Sequence, residues 1–451
     1  MSNPKTNTKK ISRTELKNLQ GKKIALLGFG LDNQALLKLL ENYKISAEIT
    51  ICDARAKIKL PKIKTIYSTI NYQLGQNFNK NLERFNFLFR SPGWPLACPG
   101  IRAVQKHPQV KITSALNLFF ALCPTKNIIG VTGSKGKGTT ASLIYRILQG
   151  AKKNVWLGGN IGIPPLSFLS KIKSTDYVVL ELSSFQLEDL AFAPRYAVIT
   201  NLFKEHLVPA DPNNPNFHSS YEAYWRAKLK IIGTSANQYL IINKTLTAKI
   251  KRVAPNTQII YFSASSLPSK LIGNFNQQNI GAAVTLAQIL KIKPLVYKKI
   301  VANFSNLEHR LELVKEIRGV KYYDNSFSTT PESTALDLQS FSEPIIQIAG
   351  GADKGANFKP LAKIIKQKVK FLILLSGKGT ERLLLELVAL KFPKTKLVLT
   401  NNMFTAVALA KQQSVAGDVV LLSTACASFG LFKNYKERGE LFKQAVQNKK
   451  I

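Results

Sequence analysis

The 451-residue sequence is short of acid: 26 Asp and Glu stand against 64 Lys and Arg, a net charge of +38. It is also short of cysteine. Cys52, Cys98, Cys123 and Cys426 form no Cys-x-x-Cys pair and no dense framework, which argues against a disulfide scaffold or a cysteine zinc site and for a reducing compartment. No apolar run approaches the roughly 20 residues that span a bilayer. The polar, Lys-rich start, Met1 to Lys17, lacks the apolar segment of a secretory signal, so a cytoplasmic protein without membrane contact is expected. Helix-turn-helix, zinc-finger and RNP-like signatures are absent too. An excess of base would ordinarily suggest phosphate neutralisation on a nucleic acid. Here the lysines are spread along the whole chain, and the densest cluster, Lys57-Ile-Lys-Leu-Pro-Lys-Ile-Lys64, alternates with apolar residues as a solvated edge or loop does. Nucleic acid is therefore not the expected partner.

What the chain does have is a glycine-rich stretch, Gly130-Val-Thr-Gly-Ser-Lys-Gly-Lys-Gly-Thr-Thr140, between a strand-like run at 127–131 and a helix-like run at 141–149. Such glycines permit a tight turn whose N–H groups face an anion, and the positive end of the following helix dipole points at the same place. Lys137 is spaced to reach the outer phosphates of a nucleotide. The first glycine lies one position further back than in the standard G-x-x-x-x-G-K-[ST] loop, and a flexible Gly/Lys turn is the bland alternative. Strand, glycines, lysine, hydroxyls and helix in that order favour a phosphate cradle at Gly133, Ser134, Lys135, Gly136, Lys137, Gly138 and Thr139.

Upstream, a buried-strand pattern at 22–28 leads into Gly28-Phe-Gly30, a helical run to Leu40 and a second strand at 47–52 ending at Asp53. This βαβ unit is Rossmann-like, although Asn33 occupies the third glycine position, and the two glycines serve a plain strand-to-helix turn equally well. Downstream of Cys123, strands at 127–131, 177–182 and 197–201 alternate with helix-length segments, with helices at 221–232 and from Asn274 to about Leu290. After 303–308 come strands at 321–323, 345–349, 371–375, 396–399 and 419–422. The length and this pattern predict an α/β protein of three domains, 1–122, 123–306 and 307–451: Rossmann-like, central P-loop-type ATPase with a parallel sheet, and Rossmann-like again.

The loop at 130–140, followed by Gly159-Asn-Ile-Gly162, Leu180-Glu-Leu-Ser-Ser-Phe-Gln-Leu-Glu188 and Ala425-Cys-Ala-Ser428, resembles the Mur ligases in motif order and separation over nearly the whole chain. The Ser-Ser-Phe-Gln-Leu run, and a tail of Phe432-Lys-Asn-Tyr435 and Arg438-Gly-Glu-Leu-Phe442, are most similar to the branch that adds D-glutamate to UDP-N-acetylmuramoyl-L-alanine. That resemblance implies an ATP- and Mg²⁺-dependent ligase acting through an acyl phosphate, and a monomer is expected. The first domain would hold the uridine nucleotide through Asp53, Arg55, Ser91 and Gly93. Lys137 would stabilise the transferring phosphoryl group and Glu181 would help hold Mg²⁺. Asn160 would face the substrate. His206 and Lys228 match a second metal site, with Lys228 carbamylated. Asn276 and Asn279 match the adenine side, and Arg310, after His309, the segment that reaches the phosphates. Lys354 would pair with a D-glutamate carboxylate, with Ser428 and Tyr435 as further substrate contacts.

Residue chemistry supports some of these roles independently. A carboxylate between Leu180 and Leu182 in an apolar strand is costly unless paired or metal-bound. Asn276 and Asn279 would otherwise be helix-start caps, Lys228 a solvated helix residue, and Cys426 a small buried side chain. Carbamylation would turn a cation that repels Mg²⁺ into an oxygen ligand. Three departures stand out. Lys135 and Gly138 replace the usual residues around the loop lysine, displacing the metal-binding hydroxyl to Thr139. Asn325-Ser326-Phe327 stands where Asp-Ser-Lys is common, with Asp324 one place earlier to compensate for the acid. Tyr435 replaces a phenylalanine. A folylpolyglutamate synthetase-like or other Mur ligase is the first alternative, suggested by the Gly-Lys-Gly-Thr order and opposed by the complete βαβ unit before the loop; a nucleotide-regulated nucleic-acid-binding protein, suggested by the charge alone, is the more remote one.

Overall fold

A computed structural model describes residues 14–60, 70–203, 207, 216–250, 256–353 and 355–448. His206 and Lys354 lie outside the described residues. Packing divides the chain into two compact units, Met1–Ser263 with Gln278–Ile300, and Ala264–Gln277 with Val301–Ile451. No helix among the described residues is long and apolar enough to cross a membrane.

The first unit contains two parallel sheets. One comprises β1 (Lys23–Leu27), β2 (Glu48–Asp53), β3 (Ile70–Leu74), β4 (Phe87–Arg90) and β5 (Lys111–Thr113), in the order β3-β2-β1-β4-β5. The other comprises β6 (Ile128–Thr132), β7 (Val155–Gly159), β8 (Tyr177–Glu181), β9 (Tyr196–Ile199), β10 (Tyr239–Asn243) and β11 (Gln258–Phe262), in the order β11-β10-β9-β6-β8-β7. Their central strands are buried on both faces, which is why they read as continuous apolar runs rather than alternating ones. In each sheet the connections reverse direction beside one strand, β1 in the first and β6 in the second. Such a switch point leaves a crevice beyond the carboxyl ends of the strands, and both glycine turns lie there. A single apolar core, including Leu36, Phe119, Leu122, Ile128, Leu180 and Ile199, runs through both sheets.

The second unit holds β12 (Glu312–Ile317), β13 (Val320–Asp324), β14 (Ile345–Gly350), β15 (Val369–Leu375), β16 (Leu397–Thr400) and β17 (Val419–Leu422), in the order β12-β13-β17-β14-β15-β16. The β12–β13 pair is antiparallel, a hairpin edge on an otherwise parallel sheet. The α/β class and the central strands agree with the sequence reading to within a residue or two. Several short strands, β3, β4, β5, β7, β10, β11 and β12, were not anticipated. The helix after the phosphate loop also starts earlier, at Lys137 rather than 141, so Thr139 and Thr140 sit in its first turn.

Candidate active site

β6 delivers the chain into the loop 133–136, and the Lys137–Gly150 helix begins at once. Gly133 (φ +145°) and Gly136 (φ +79°) are required by position. A Cβ on Gly133 would strike Thr200 Oγ1, and one on Gly136 would strike Asn279 Oδ1. The loop is braced from β9: Ser134 N donates to Asn201 O (3.0 Å), Lys135 N to Asn201 Oδ1 (2.8 Å), and Thr200 Oγ1 to Lys135 O (2.6 Å). Ser134 Oγ lies 2.7 Å from the wholly buried Tyr224 hydroxyl. The helix's N-cap, Gly136, offers no side chain, so its first amides keep the anion-accepting character of a helix start. Lys137 Nζ donates to Ser134 O at 2.9 Å, folded over the loop it belongs to.

Glu181 ends β8, next to β6 in the sheet, and is 1 % exposed. Asn160 Nδ2 donates to its Oε1 at 2.9 Å, while its buried Oε2 has no hydrogen-bond partner among the described residues. An orphaned carboxylate oxygen in a buried site is costly unless a cation or water completes it. Lys228, on the Tyr221–Leu229 helix, is equally buried. Its ammonium donates to Gly133 O (2.8 Å), lies 3.5 Å from Thr132 Oγ1 and stands 4.8 Å above the Tyr224 ring. The structure thus brings Lys137, Glu181, Asn160, Lys228 and Asn279 to one crevice.

At the first sheet, a cavity of about 470 Å³ is lined by Gly28 to Asp32, Asp53 to Arg55, Ser91 to Pro95, Asn160 and Gln186. Asp53 Oδ2 accepts from Phe29 N (2.8 Å), and both its oxygens are gripped by Arg55. Burial works against the Asp53 charge, but the hydrogen bonds from Arg55 and Phe29 N, with the Arg55 charge, together hold the carboxyl below its ordinary range. Asn33 proves to be a bracket: its amide donates to Leu27 O, Gly28 O and Phe89 O, filling the place of the missing third glycine.

Sequence reasoning missed several residues here. Asp32 and Gln186 line the cavity, and burial pushes the Asp32 carboxyl up against an opposing Gln186 hydrogen bond. Gln186 had a signal, since it lies in the Ser-Ser-Phe-Gln-Leu run. Buried Arg90, at the end of β4, meets Asp189 (2.8 Å) and Glu188 (3.2 Å), tying the first sheet to the segment after Glu181. His218 Nε2 lies 2.9 Å from Ser184 Oγ, and its Nδ1 lies 3.3 Å from Glu188 Oε1. This has the outline of a Ser-His-Glu relay. Ser184, however, is 2 % exposed and does not line the cavity, so the set fixes the segment after Glu181 rather than attacking a substrate.

In the second unit, His309 Nδ1 lies 2.6 Å from Asp324 Oδ2, and Ser326 N donates to Asp324 Oδ1 at 2.8 Å. Asp324 is wholly buried, with both oxygens engaged by His309 and Ser326. Arg438, also wholly buried, donates to Ser326 O and Oγ and to Cys426 O, clamping the turns after β13 and β17. Cys426 is a buried packing residue of this clamp. Asn276, in the first turn of the Asn274–Ile289 helix, donates its side-chain amide to Ile272 O (2.6 Å), which is not the N–H-accepting contact of a helix cap. Ser428 is buried on the β17 turn, and Tyr435 starts the Tyr435–Val446 helix.

Comparison with known proteins accords with this geometry. Residues 131–267 match the Mur ligase middle domain and residues 309–426 match the Mur ligase, glutamate ligase domain. The UDP-N-acetylmuramoylalanine--D-glutamate ligase of Acetivibrio thermocellus is 36% identical over 96% of this chain and 97% of that protein. That of Clostridium acetobutylicum is 35% identical over 96% and 98%. Among solved structures, MurF ligase from Thermotoga maritima, in complex with ADP, has a TM-score of 0.60 at 16% identity over 96% of this chain and 97% of its own. Escherichia coli FolC has a TM-score of 0.53 at 15% identity over 74% and 91%. The chain belongs to the Mur ligase family, in its UDP-N-acetylmuramoylalanine--D-glutamate ligase branch.

Proposed function

We propose that this chain joins D-glutamate to UDP-N-acetylmuramoyl-L-alanine, with ATP activating the muramoyl-peptide carboxylate. A carboxylate is a poor electrophile. Transfer of the γ-phosphoryl group onto its oxygen gives an acyl phosphate and ADP, and attack by the D-glutamate amine then forms the amide and releases phosphate. Such chemistry is mostly positioning and charge stabilisation. The observation that carries the reading is the meeting, at one sheet edge, of an uncapped glycine-rich helix start, the orphaned Glu181 Oε2 and the buried Lys228.

In this reading the three domains are 1–122, 123–306 and 307–451, for the uridine substrate, ATP and the amino acid, and the reaction takes place in the cytoplasm. Asp53, Arg55, Ser91 and Gly93 take the uridine nucleotide, and Gly133 to Thr139 with Asn276 and Asn279 take ATP. Lys137 swings from Ser134 O to the transferring phosphoryl group. Arg310 serves the phosphates, and Lys354, Ser428 and Tyr435 serve the amino acid. Mg²⁺ fits the donor set. Glu181 supplies an unpartnered hard oxygen, Thr139 the nearest hydroxyl after Gly138, and His206 with a carbamylated Lys228 a second set; a bare Lys228 ammonium would not suit a cation. When bound, Mg²⁺ neutralises phosphate charge. Asn160 keeps Glu181 aimed at that place.

Phosphate release measured with UDP-N-acetylmuramoyl-L-alanine, ATP and a panel of amino acids tests the proposal. Release with D-glutamate alone is expected, and equal release with another amino acid would refute the specificity. The two threonines give a finer check. Thr139→Val is expected to raise the Mg²⁺ requirement several-fold. Thr140→Val removes a buried hydroxyl with no partner among the described residues. It is expected to leave that requirement unchanged and to keep or raise stability by about 1 kcal/mol in a urea titration. The opposite pattern would assign the ligand to Thr140.

A further inference from the structure

Phe327 is an apolar ring left 37% exposed at the turn after β13, at one of the three places where the sequence departs from the Mur ligase pattern. Its face is occupied. The Arg310 guanidinium carbon stands 3.7 Å from the ring centroid. Tyr435 meets the Phe327 ring in a T-shaped contact at 5.1 Å and 87°, and meets His309 in a second one at 6.1 Å and 88°. His309 precedes Arg310 in the chain, so the contacts close into a ring: arginine, phenylalanine, tyrosine, histidine and back through the peptide bond. Phe327 N also donates to His309 O at 3.1 Å, fixing the shelf and the arginine segment to one another.

The backbone on either side of Arg310 is strained. His309 (φ +60°) and Leu311 (φ +50°) both occupy the left-handed region, which non-glycine residues adopt only where the surroundings enforce it. The enforcement is visible: His309 Nδ1 is held by Asp324, His309 N donates to Glu312 Oε2 (2.9 Å), and Arg310 N donates to Leu307 O (3.0 Å). A guanidinium over a ring uses its face and keeps its in-plane N–H donors for an oxyanion. Among the described residues, no carboxylate or carbonyl engages those donors.

We propose that Phe327 is a positioning residue that holds Arg310 ready for a nucleotide phosphate; the proposal rests on the reading above that Arg310 serves the phosphates. Without the ring, a long flexible side chain would have to be ordered at the moment of binding. The shelf orders it beforehand.

The test is a double-mutant cycle in the full chain, read by the KM for ATP and for D-glutamate in phosphate release, and by calorimetric affinity for a non-hydrolysable ATP analogue. Phe327→Leu is expected to raise the KM for ATP about tenfold while the KM for D-glutamate moves less than about twofold. Phe327→Tyr keeps the π face, and a return to within about twofold of the parent is expected. In an Arg310→Gln background, Phe327→Leu should change the ATP value little further, because the partner it positions is gone. Additive losses, equal losses for both substrates, or failure of the tyrosine to rescue would overturn the proposal. If the parent releases no phosphate with D-glutamate, the proposed function falls. The analogue affinities then decide the shelf alone, and equal affinity for Phe327→Leu and the parent refutes it.

Discussion

Lys137→Ala is expected to lower phosphate release by about a thousandfold or more while the folded state survives. The ammonium lies at the first helical position and folds over the loop onto Ser134 O. Negative charge shifts among the phosphate oxygens as the phosphoryl group leaves ADP, so a point cation there acts on the transition state more than on bound ATP. Affinity for ATP should therefore fall much less than turnover. Alanine is a good helix former, and nothing in the loop's bracing from Thr200 and Asn201 depends on the lysine side chain. Steady-state kinetics together with a thermal melt check this. Near-parental turnover in a folded variant would remove Lys137 from the chemistry.

The second large effect is expected at Lys228. Lys228→Ala should cost activity about a hundredfold or more, and also stability, because the side chain is fully buried against Tyr224 and Gly133. Lys228→Met separates the two effects: it keeps most of the volume, so the melt should recover while the activity does not. A carbamate at Nζ would present oxygens that a short carboxylate can imitate, so formate or acetate should restore part of the activity of Lys228→Ala. Intact-protein mass showing an unmodified lysine in fully active enzyme would refute the carbamate while leaving the electrostatic role of the ammonium in place. Full activity of a folded Lys228→Met variant would refute both.

The parts of this molecule that were legible in the sequence are those whose physics is local. A glycine loop between an apolar strand and a helix declares itself, as does Glu181, a carboxylate enclosed by leucines. Strands β1, β6, β8, β14 and β17 are buried on both faces and therefore read as unbroken apolar runs. β5 has three residues and β7 ends in two glycines; both take their conformation from the neighbour they pair with, which no window along the chain contains. The helix start at Lys137 was missed because four polar or glycine residues precede its first apolar position. Arg90, Asp32 and His218 were invisible for another reason: their partners lie far off in sequence. Arg90 meets Asp189 across 99 positions, and Arg438 finds Ser326 across 112. The aromatic shelf was half seen. Phe327 was noted as a lost lysine, but what the ring does instead needed the third dimension.

The apolar core that runs without a break from Phe119 and Leu122 to Leu180 and Ile199, reinforced by Arg90 against Glu188 and Asp189, bears on how the chain can be cut. A fragment ending near residue 122 would bare one side of that core to water and leave a buried guanidinium without its counter-charges. The topology is modular, but the core is shared: the cavity at the first sheet and the phosphate loop rest on the same packed side chains. The spacing between those two features is thus set by that core. A recombinant exchange of the first sheet between relatives would have to carry the Glu188-Asp189 segment with it.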